Sequence, residues 1–140
     1  MLKLRTFDKK DIDNIDLEFV IEKQHKDAFI APERIHGYTL TYDDVILGMG
    51  GVHFMWGKVA EGWFFISKLG KVKYKSVVKH TYYMFDVIET ENNIDRIQAS
   101  VSADDPTAIR FARWLGFENE GLMRQYGVDG GDYYRMARIK

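Results

Sequence analysis

The stretch that most constrains this chain is Gly62–Asn93, in which a short apolar segment, a lysine-rich segment and a long segment of helical period follow one another. Four consecutive apolar residues, Trp63–Ile66, predict a strand that is buried on both faces. From Ser76 onward the apolar residues recur at helical spacing, which predicts an amphipathic helix. Strand, turn and helix in this order form half of a βαβ unit, and such a turn can offer backbone N–H groups to an anion.

Lysine side chains are concentrated around that turn. The five lysines are Lys68, Lys71, Lys73, Lys75 and Lys79. Two interpretations are open, an anion-binding site or a solvated lysine-rich edge. The chain as a whole has a net charge of −1, so nucleic acid is not an expected partner despite the local cluster.

The length and composition favour one packed domain over residues 1–140, because 46% of the 140 residues are hydrophobic. The chain has no cysteine, which excludes disulfides, thiolate metal sites and cysteine nucleophiles. Its four histidines do not have the spacing of metal ligands, so no metal is expected. No signal segment or long apolar span is found, and we therefore expect a cytoplasmic protein with no membrane contact.

Alternation of apolar and polar residues, or a continuous apolar run, predicts the remaining strands. They are Leu2–Phe7, Tyr38–Tyr42, Val45–Trp56, Arg96–Ser102 and Tyr133–Ile139, with an extended segment over Phe117–Gly127. A first helix is predicted from Asp8 to about His25, and Lys26–His36 is interpreted as a loop or a short second helix. The glycines of the third strand, at Gly48, Gly50 and Gly51, indicate a bulge or a close approach of another backbone or a ligand.

Turn and cap residues separate these elements. Asp43-Asp44 predicts a hairpin turn, and Val128–Gly131 predicts another before the last strand. Asp105 followed by Pro106 is typical of a helix N-terminus, and Gly116 is typical of a helix end. The predicted order is strand, helix, loop, three strands, helix, strand, helix and two strands.

The segment Asp104–Gly121, DDPTAIRFARWLGFENEG, resembles the N-x-x-A … L-G-F-x-x-x-G segment of the GCN5-related N-acetyltransferases (GNAT). Asp105 stands at the usual asparagine, Ala108 at the alanine and Leu115–Phe117 at the L-G-F. The closing segment Arg124–Arg138 is similar to the last hairpin of bacteriophage-encoded members of this family.

This resemblance implies an α/β (α+β) fold with a mixed, mostly antiparallel sheet flanked by helices. It also implies that the strand of Trp63–Ile66 and the strand Arg96–Ser102 splay apart, which opens a cleft for the pantetheine arm of acetyl-CoA, the expected cosubstrate. The family's pyrophosphate loop, [RQ]-x-x-G-x-[GA], aligns with Lys71–Ser76, where Tyr74 replaces the central glycine. The predicted cofactor-binding residues are Phe65, Ile66, Lys71, Val72, Lys73, Tyr74, Lys75, Ser76 and Asp105.

Acyl transfer to an amine needs a base for the amine proton and an acid for the leaving thiolate. The family's acid tyrosine aligns with Ala112, so the candidate acids come from the closing hairpin: Tyr126 first, with Tyr133 and Tyr134 as alternatives. Glu61 is the first candidate base and His53 the second. The structural alternatives are a strand-end surface charge for Glu61 and a hydrogen-bonded core histidine for His53.

Two functions follow from the resemblance. The first is an acetyl-CoA-dependent N-acyltransferase that acts on an amine of a small molecule or of a protein. The alternative is a catalytically degenerate, phage-encoded domain in the host cytoplasm that binds a protein in virion assembly or in counter-defence. The intact L-G-F segment and the lysines favour the enzyme, whereas Tyr74 and Ala112 favour the binding module.

Overall fold

The computed structural model describes residues 1–17 and 35–140 of the chain. The elements in chain order are β1 (Leu2–Thr6), α1 (Asp11–Asn14), β2 (Ile35–Tyr42), β3 (Val45–Trp56), β4 (Val59–Ile66), α2 (Lys68–Val72), α3 (Tyr74–Asn92), β5 (Arg96–Ser102), α4 (Pro106–Trp114), β6 (Glu118–Met123) and β7 (Tyr133–Ile139). The part of the predicted first helix that follows Leu17 lies outside the described residues, as does the stretch Lys26–His36 except for its last two residues.

The seven strands form one sheet in the order β1-β2-β3-β4-β5-β7-β6. Only β4 and β5 run parallel, and the other neighbouring pairs are antiparallel. The β4–β5 pairing covers just Val59–Glu61 and Arg96–Gln98, after which the two strands diverge. The prediction of a mixed, mostly antiparallel sheet that splays between these two strands is confirmed.

Each face of the sheet carries a hydrophobic core. Helices α3 and α4 cover one face, called the α3 face below, and the core cluster on it contains Val52, Ala60, Met84, Phe85, Ile88, Ile94, Ile97, Ala112, Leu115, Phe117 and Met136. A smaller cluster lies on the opposite face, called the α1 face, and contains Ile15, Leu17, Ile46 and Met49. Leu115 and Phe117 of the L-G-F segment are 3% and 4% exposed, so this segment belongs to the core of the α3 face.

The lysine-rich segment after β4 is helical, so its prediction as a turn is wrong. The Ser67 hydroxyl caps α2 by accepting a hydrogen bond from the Gly70 N–H at 3.0 Å. Leu69 packs against the apolar cluster of Leu40, Leu47 and Val77, which anchors this short helix to the sheet. Lys73 alone separates α2 from α3, and α3 therefore begins at Tyr74 rather than at Ser76.

The predicted turns and caps are confirmed where the structure describes them. Asp43 and Asp44 have φ values of 47° and 68°, the left-handed conformations of a tight hairpin turn. The Asp105 carboxylate accepts a hydrogen bond from the Ala108 N–H at 3.0 Å at the start of α4. Gly116, with φ of 92°, ends the turn after this helix.

The glycines of β3 have two structural roles. A Cβ atom on Gly51 would lie 2.1 Å from the carbonyl oxygen of His36, so the backbones of β2 and β3 approach closely there. The register shifts between Leu40 and Thr41, which leaves Leu47 as an extra residue of β3 next to Gly48. Both structural features predicted from these glycines, a bulge and a close backbone approach, are therefore present.

The first helix is shorter than its apolar spacing predicts. Helix α1 ends at Asn14, because Ile15 adopts an extended conformation with ψ of 131°. Ile15 and Leu17 are then buried on the α1 face, in one cluster with Ile46 and Met49 of β3. Packing against the α1 face thus outweighs the local helical period.

Candidate active site

The divergence of β4 and β5 opens a cleft inside the sheet, called the β4–β5 cleft below. Its closed end is at Glu61 and Gln98, the last paired residues of the two strands. Beyond them Gly62–Ile66 pair with β3, and Ala99–Ser102 pair with β7. Each strand therefore turns one backbone edge toward the gap, and such an edge can hydrogen-bond an extended ligand. The predicted cofactor residues Phe65 and Ile66 lie on this part of β4.

Glu61 lies at the closed end of the cleft, on the α1 face. Its carboxylate accepts two hydrogen bonds from Arg135 of β7, with distances of 2.9 and 3.1 Å from Nη1 to the two oxygens. The Arg135 side chain reaches past β5 to make this contact. The side chain of Arg135 is 24% exposed and that of Glu61 is 17% exposed. Glu61 is thus a paired, largely buried carboxylate and not a surface charge at a strand end.

Two further polar groups flank this ion pair on the same face. His53 lies opposite Glu61 in the β3–β4 register, and Ser100 lies opposite Arg135 in the β5–β7 register. Within the described part of the chain, His53 Nδ1 and Ser100 Oγ are buried and have no hydrogen-bond partner. We call these four residues, His53, Glu61, Ser100 and Arg135, the polar cluster of the cleft.

The hairpin tyrosines lie at the other, open end of the cleft. Tyr133 begins β7 opposite Ser102, four residues of β5 beyond Gln98, which corresponds to about 13 Å of strand. Burial, together with nearby Asp129 and Asp105, raises the pKa of Tyr133 to about 12, so this phenol stays protonated at neutral pH.

The structure does not bring the first candidate acid together with the candidate base. Tyr126 lies in the β6–β7 connection, is 51% exposed and packs its ring against Tyr133 at a centroid distance of 5.7 Å. Tyr134 lies opposite Val101 and packs against the core of the α3 face. Glu61 and Tyr126 therefore occupy opposite ends of the cleft.

Five predicted cofactor-binding residues line one cavity at the start of α3. The cavity measures about 290 Å³ and is lined by Val72, Lys73, Tyr74, Lys75 and Ser76 together with Leu2 and Tyr42. The Lys73 ammonium lies 4.3 Å from the centroid of the Tyr42 ring. The N–H groups of Lys73 and Ser76 bond to the carbonyls of Leu69 and Lys73 at 3.0 and 3.1 Å, so only the other N–H groups at this end of α3 can act together with the lysine charge.

Aromatic pairs connect α4 to the elements on the other side of the cleft. Tyr74 stacks on Trp114 with a centroid distance of 5.6 Å and an angle of 15° between the rings. Phe64 of β4 packs against Phe111 at 5.1 Å. The neighbouring Ala112, which aligns with the family's acid tyrosine, is 7% exposed and belongs to the core. Asp105 caps α4, so its carboxylate already has a backbone partner.

Two partly buried ion-pair groups were not predicted: Arg138 and Asp86 lie 52 residues apart, whereas Arg5 and Asp11 are separated by only six. Arg138 bonds to Asp86 at 3.0 Å and to the Leu115 carbonyl at 3.0 Å, and its Nε lies 2.6 Å from Glu89. Burial raises the pKa of Glu89, and the positive charge of Arg138 opposes this only in part. Arg5 bonds to Asp11 at 2.8 and 2.9 Å in the second pair. Both pairs fasten elements together away from the cleft.

None of the helices in the described residues is both long and apolar enough to cross a membrane. No group of three or more His, Cys, Asp or Glu side chains among them could hold a metal ion.

The splayed sheet and the helix that starts beside its cleft define the acyltransferase architecture implied by the sequence resemblance. Residues 4–137 match the acetyltransferase (GNAT) domain family, and the chain therefore belongs to this family. The L-amino acid N-acetyltransferase AaaT of Escherichia coli (strain K12) is 35% identical over 60 residues, which are 41% of this chain and 37% of that protein. The match thus spans well under half of the curated relative.

Solved structures share the fold at low sequence identity. A variant of the spermidine N-acetyltransferase SpeG from Vibrio cholerae superposes with a TM-score of 0.73 and 17% identity, covering 99% of this chain and 93% of that one. The ribosomal-protein-S5-alanine acetyltransferase from Vibrio fischeri gives a TM-score of 0.75 and 13% identity, covering 99% and 92%. These similarities establish the fold of the whole chain and no acceptor.

Proposed function

We propose that this protein is an N-acetyltransferase that moves the acetyl group of acetyl-CoA to an amine of a small molecule or of a protein. The observation that carries this proposal is the β4–β5 cleft, which has a partly buried carboxylate at its closed end. Family membership supports the same reaction, and the single domain predicted over residues 1–140 is the proposed catalytic unit.

The residues around the cleft and α3 suit acetyl-CoA. Phe65 and Ile66 would run beside the pantetheine arm through their backbone groups, as a neighbouring strand does. Val72–Ser76 would hold the pyrophosphate through the N–H groups at the start of α3, and Lys71, Lys73 and Lys75 would add positive charge. The Tyr74 side chain stands where the family has glycine, and its stacking on Trp114 gives the ring a position beside the helix start. Asp105 would contribute by capping α4.

Two proton transfers complete the chemistry. Acetyl-CoA supplies a thioester carbonyl that is attacked by the nitrogen of a neutral amine. We assign Glu61 as the base that accepts the amine proton, and His53 is the second candidate because it lies opposite Glu61 in the register. Tyr126 remains the predicted acid for the departing thiolate, with Tyr133 as the alternative, and both lie at the end of the cleft opposite Glu61.

The acceptors in the names of similar proteins span several kinds of amine: L-amino acids, spermidine and the alanine of a ribosomal protein. They support an amine acceptor for this chain in general terms. The resemblance of Arg124–Arg138 to phage-encoded members, and a location in a cytoplasm, remain predictions from the sequence.

Two observations support the alternative function, a protein-binding module without catalysis. Ala112 provides no hydroxyl where the family has its acid, and Tyr74 replaces the loop glycine. Calorimetry with acetyl-CoA separates the two functions, because a ligand that is held at α3 must give saturable heat and must raise the unfolding temperature. Absence of binding at millimolar acetyl-CoA would refute the transferase and favour the module.

A further inference from the structure

We propose that the acceptor is a free α-amino acid, whose ammonium group is bound by Glu61 and whose carboxylate is bound by Arg135. This inference rests on the proposed acetyl transfer and specifies its acceptor.

The Glu61–Arg135 pair presents one negative and one positive group side by side. Their contacting atoms are 2.9 and 3.1 Å apart, at the closed end of the cleft. An α-amino acid carries its ammonium and carboxylate groups on one carbon atom, so its two charges are also adjacent. When such a ligand binds, the Glu61–Arg135 ion pair is replaced by two ion pairs, Glu61 with the ammonium and Arg135 with the carboxylate. The planar guanidinium can bond to both carboxylate oxygens, which a lysine ammonium does less well.

Other amine classes match this pair less well. A polyamine offers only positive charge, and it would have to displace Arg135 from Glu61 and leave the guanidinium unpaired. That side chain is 24% exposed, so the loss of its partner would be costly. A protein N-terminus or a lysine side chain has the same defect, because neither carries a carboxylate beside its amine.

The two unpartnered polar atoms supply an independent observation. Ser100 Oγ is buried beside Arg135, and His53 Nδ1 is buried beside Glu61, both lacking a hydrogen-bond partner in the described residues. Buried polar groups are normally paired, so orphan groups on both sides of the ion pair indicate a polar ligand that spans it. In the bound state Ser100 donates to the second carboxylate oxygen, and His53 lies on the ammonium side.

In the transfer reaction, the ammonium group of the amino acid gives one proton to Glu61, and the neutral nitrogen forms the C–N bond to the acetyl carbon as the C–S bond breaks. The nitrogen loses its second proton, the thiolate gains one, and the products are an N-acetyl amino acid and the CoA thiol. Because the acylated nitrogen no longer carries charge, the product keeps only the contact to Arg135, which favours its release.

The test compares each of several α-amino acids with its decarboxylated amine, for example leucine with isoamylamine and phenylalanine with phenethylamine. Acetyl transfer is followed by release of the CoA thiol. For the wild-type protein we expect kcat/KM to be about 10–100-fold higher for the amino acids, the gain that a charge-assisted carboxylate contact provides. In Arg135→Gln this preference should disappear through a rise in KM for the amino acid, while any fall in kcat caused by the lost contact to Glu61 should be the same for the amino acid and the amine.

A matched control and a second variant keep the result interpretable. Arg96 makes a comparable two-pronged bond to Glu120 on the same face, so Arg96→Gln should leave the preference unchanged. Arg135→Lys keeps the charge without the fork and should retain part of the preference, and calorimetry with acetyl-CoA verifies that each variant is folded.

Two outcomes overturn the inference and can be told apart. Acetylation of the amines as efficient as that of the amino acids, or equal losses for both in Arg135→Gln, would reject the amino-acid acceptor and leave the transferase function intact. Failure of the wild-type protein to bind acetyl-CoA and to acetylate any acceptor would reject both proposals together.

Discussion

Glu61 and Asp11 are both largely buried carboxylates that bond to an arginine, yet their positions suggest different roles. Glu61 lies where β4 and β5 separate, and its neighbours on the α1 face have unpartnered polar atoms. Among the described residues, Asp11 accepts hydrogen bonds from Arg5, from Thr39 and from the Asp8 N–H. The unpartnered polar atoms beside Glu61 support a ligand-binding role for Glu61 and a structural role for Asp11.

Replacement of Glu61 tests its assignment as the base. We expect Glu61→Gln to lower kcat by roughly 10²–10⁴-fold, because glutamine cannot accept the amine proton, and to leave the affinity for acetyl-CoA nearly unchanged. Steady-state kinetics and calorimetry measure the two effects. Glu120→Gln is the matched control on the same face. An unaltered pH–rate profile in Glu61→Gln would exclude Glu61 as the base and favour His53.

The pKa of Asp11 predicts an acid-sensitive contribution to stability. Burial alone would raise this pKa, but the hydrogen bonds from Arg5, Asp8 and Thr39 outweigh it and lower the pKa below its ordinary value. The folded state therefore holds the proton less tightly than the unfolded chain. The stabilisation is complete above the ordinary pKa of about 3.9 and is lost as the pH falls through the folded-state pKa.

Urea unfolding at a series of pH values checks this expectation. The free energy of unfolding of Asp11→Asn should be lower than that of the wild-type protein at neutral pH, and the difference should shrink below about pH 4. Asp13→Asn, an exposed change in the same helix, should have little effect at any pH. A difference that does not depend on pH would contradict the assignment.

At the scale of elements, sequence reasoning succeeded where a local signal determines the structure. Asp105-Pro106, the Asp43-Asp44 turn and the alternating strands predict their elements because caps, turns and pleats depend on neighbouring residues. It failed for α2, because a five-residue helix that contains Gly70 has no readable period and is held by packing of Leu69. Sequence reasoning also did not identify Arg135, because its hydrogen bonds to Glu61 depend on the pairing of β5 with β7.

The start of α3 is the element on which cofactor binding depends in our proposal. Replacing Lys71 and Lys73 together by glutamate should weaken acetyl-CoA binding strongly, because it reverses the charge beside the helix N-terminus. The loss should shrink at high salt, since screening weakens interactions of solvent-exposed charges. Calorimetry at two salt concentrations measures it, and the charge-matched change of Lys9 and Lys10 to glutamate is the control.

The opposite effect is expected at Tyr74. Tyr74→Gly should tighten acetyl-CoA binding, because a glycine lets the backbone approach the phosphates as the family loop does. The same change removes the stacking on Trp114, so a small loss of stability should accompany it. Weaker binding in this variant would indicate that the Tyr74 ring itself contacts the ligand.

At the scale of the whole molecule, the sheet has two halves, β1–β4 and β5–β7. Only three residue pairs between β4 and β5 join them. The core of the α3 face connects these halves, since it contains Val52 and Ala60 from one and Ile97 and Met136 from the other. The general architecture was predictable from the order of elements and the L-G-F segment. The polar cluster was not, because its members come from four strands that only the tertiary fold brings together.

Leu115 tests whether this shared core makes the two halves unfold as one. It is 3% exposed in the cluster that spans them, and its carbonyl accepts a hydrogen bond from Arg138. Leu115→Ala should lower the free energy of unfolding by about 2–5 kcal/mol, through lost burial and the cavity left behind. Urea unfolding should keep a single transition with an unchanged m-value, because the same surface is exposed. Trp114→Ala, at an exposed neighbour, should cost less. Two separate transitions in Leu115→Ala would mean that the halves are independent units, held together at the cleft by the three strand pairs alone.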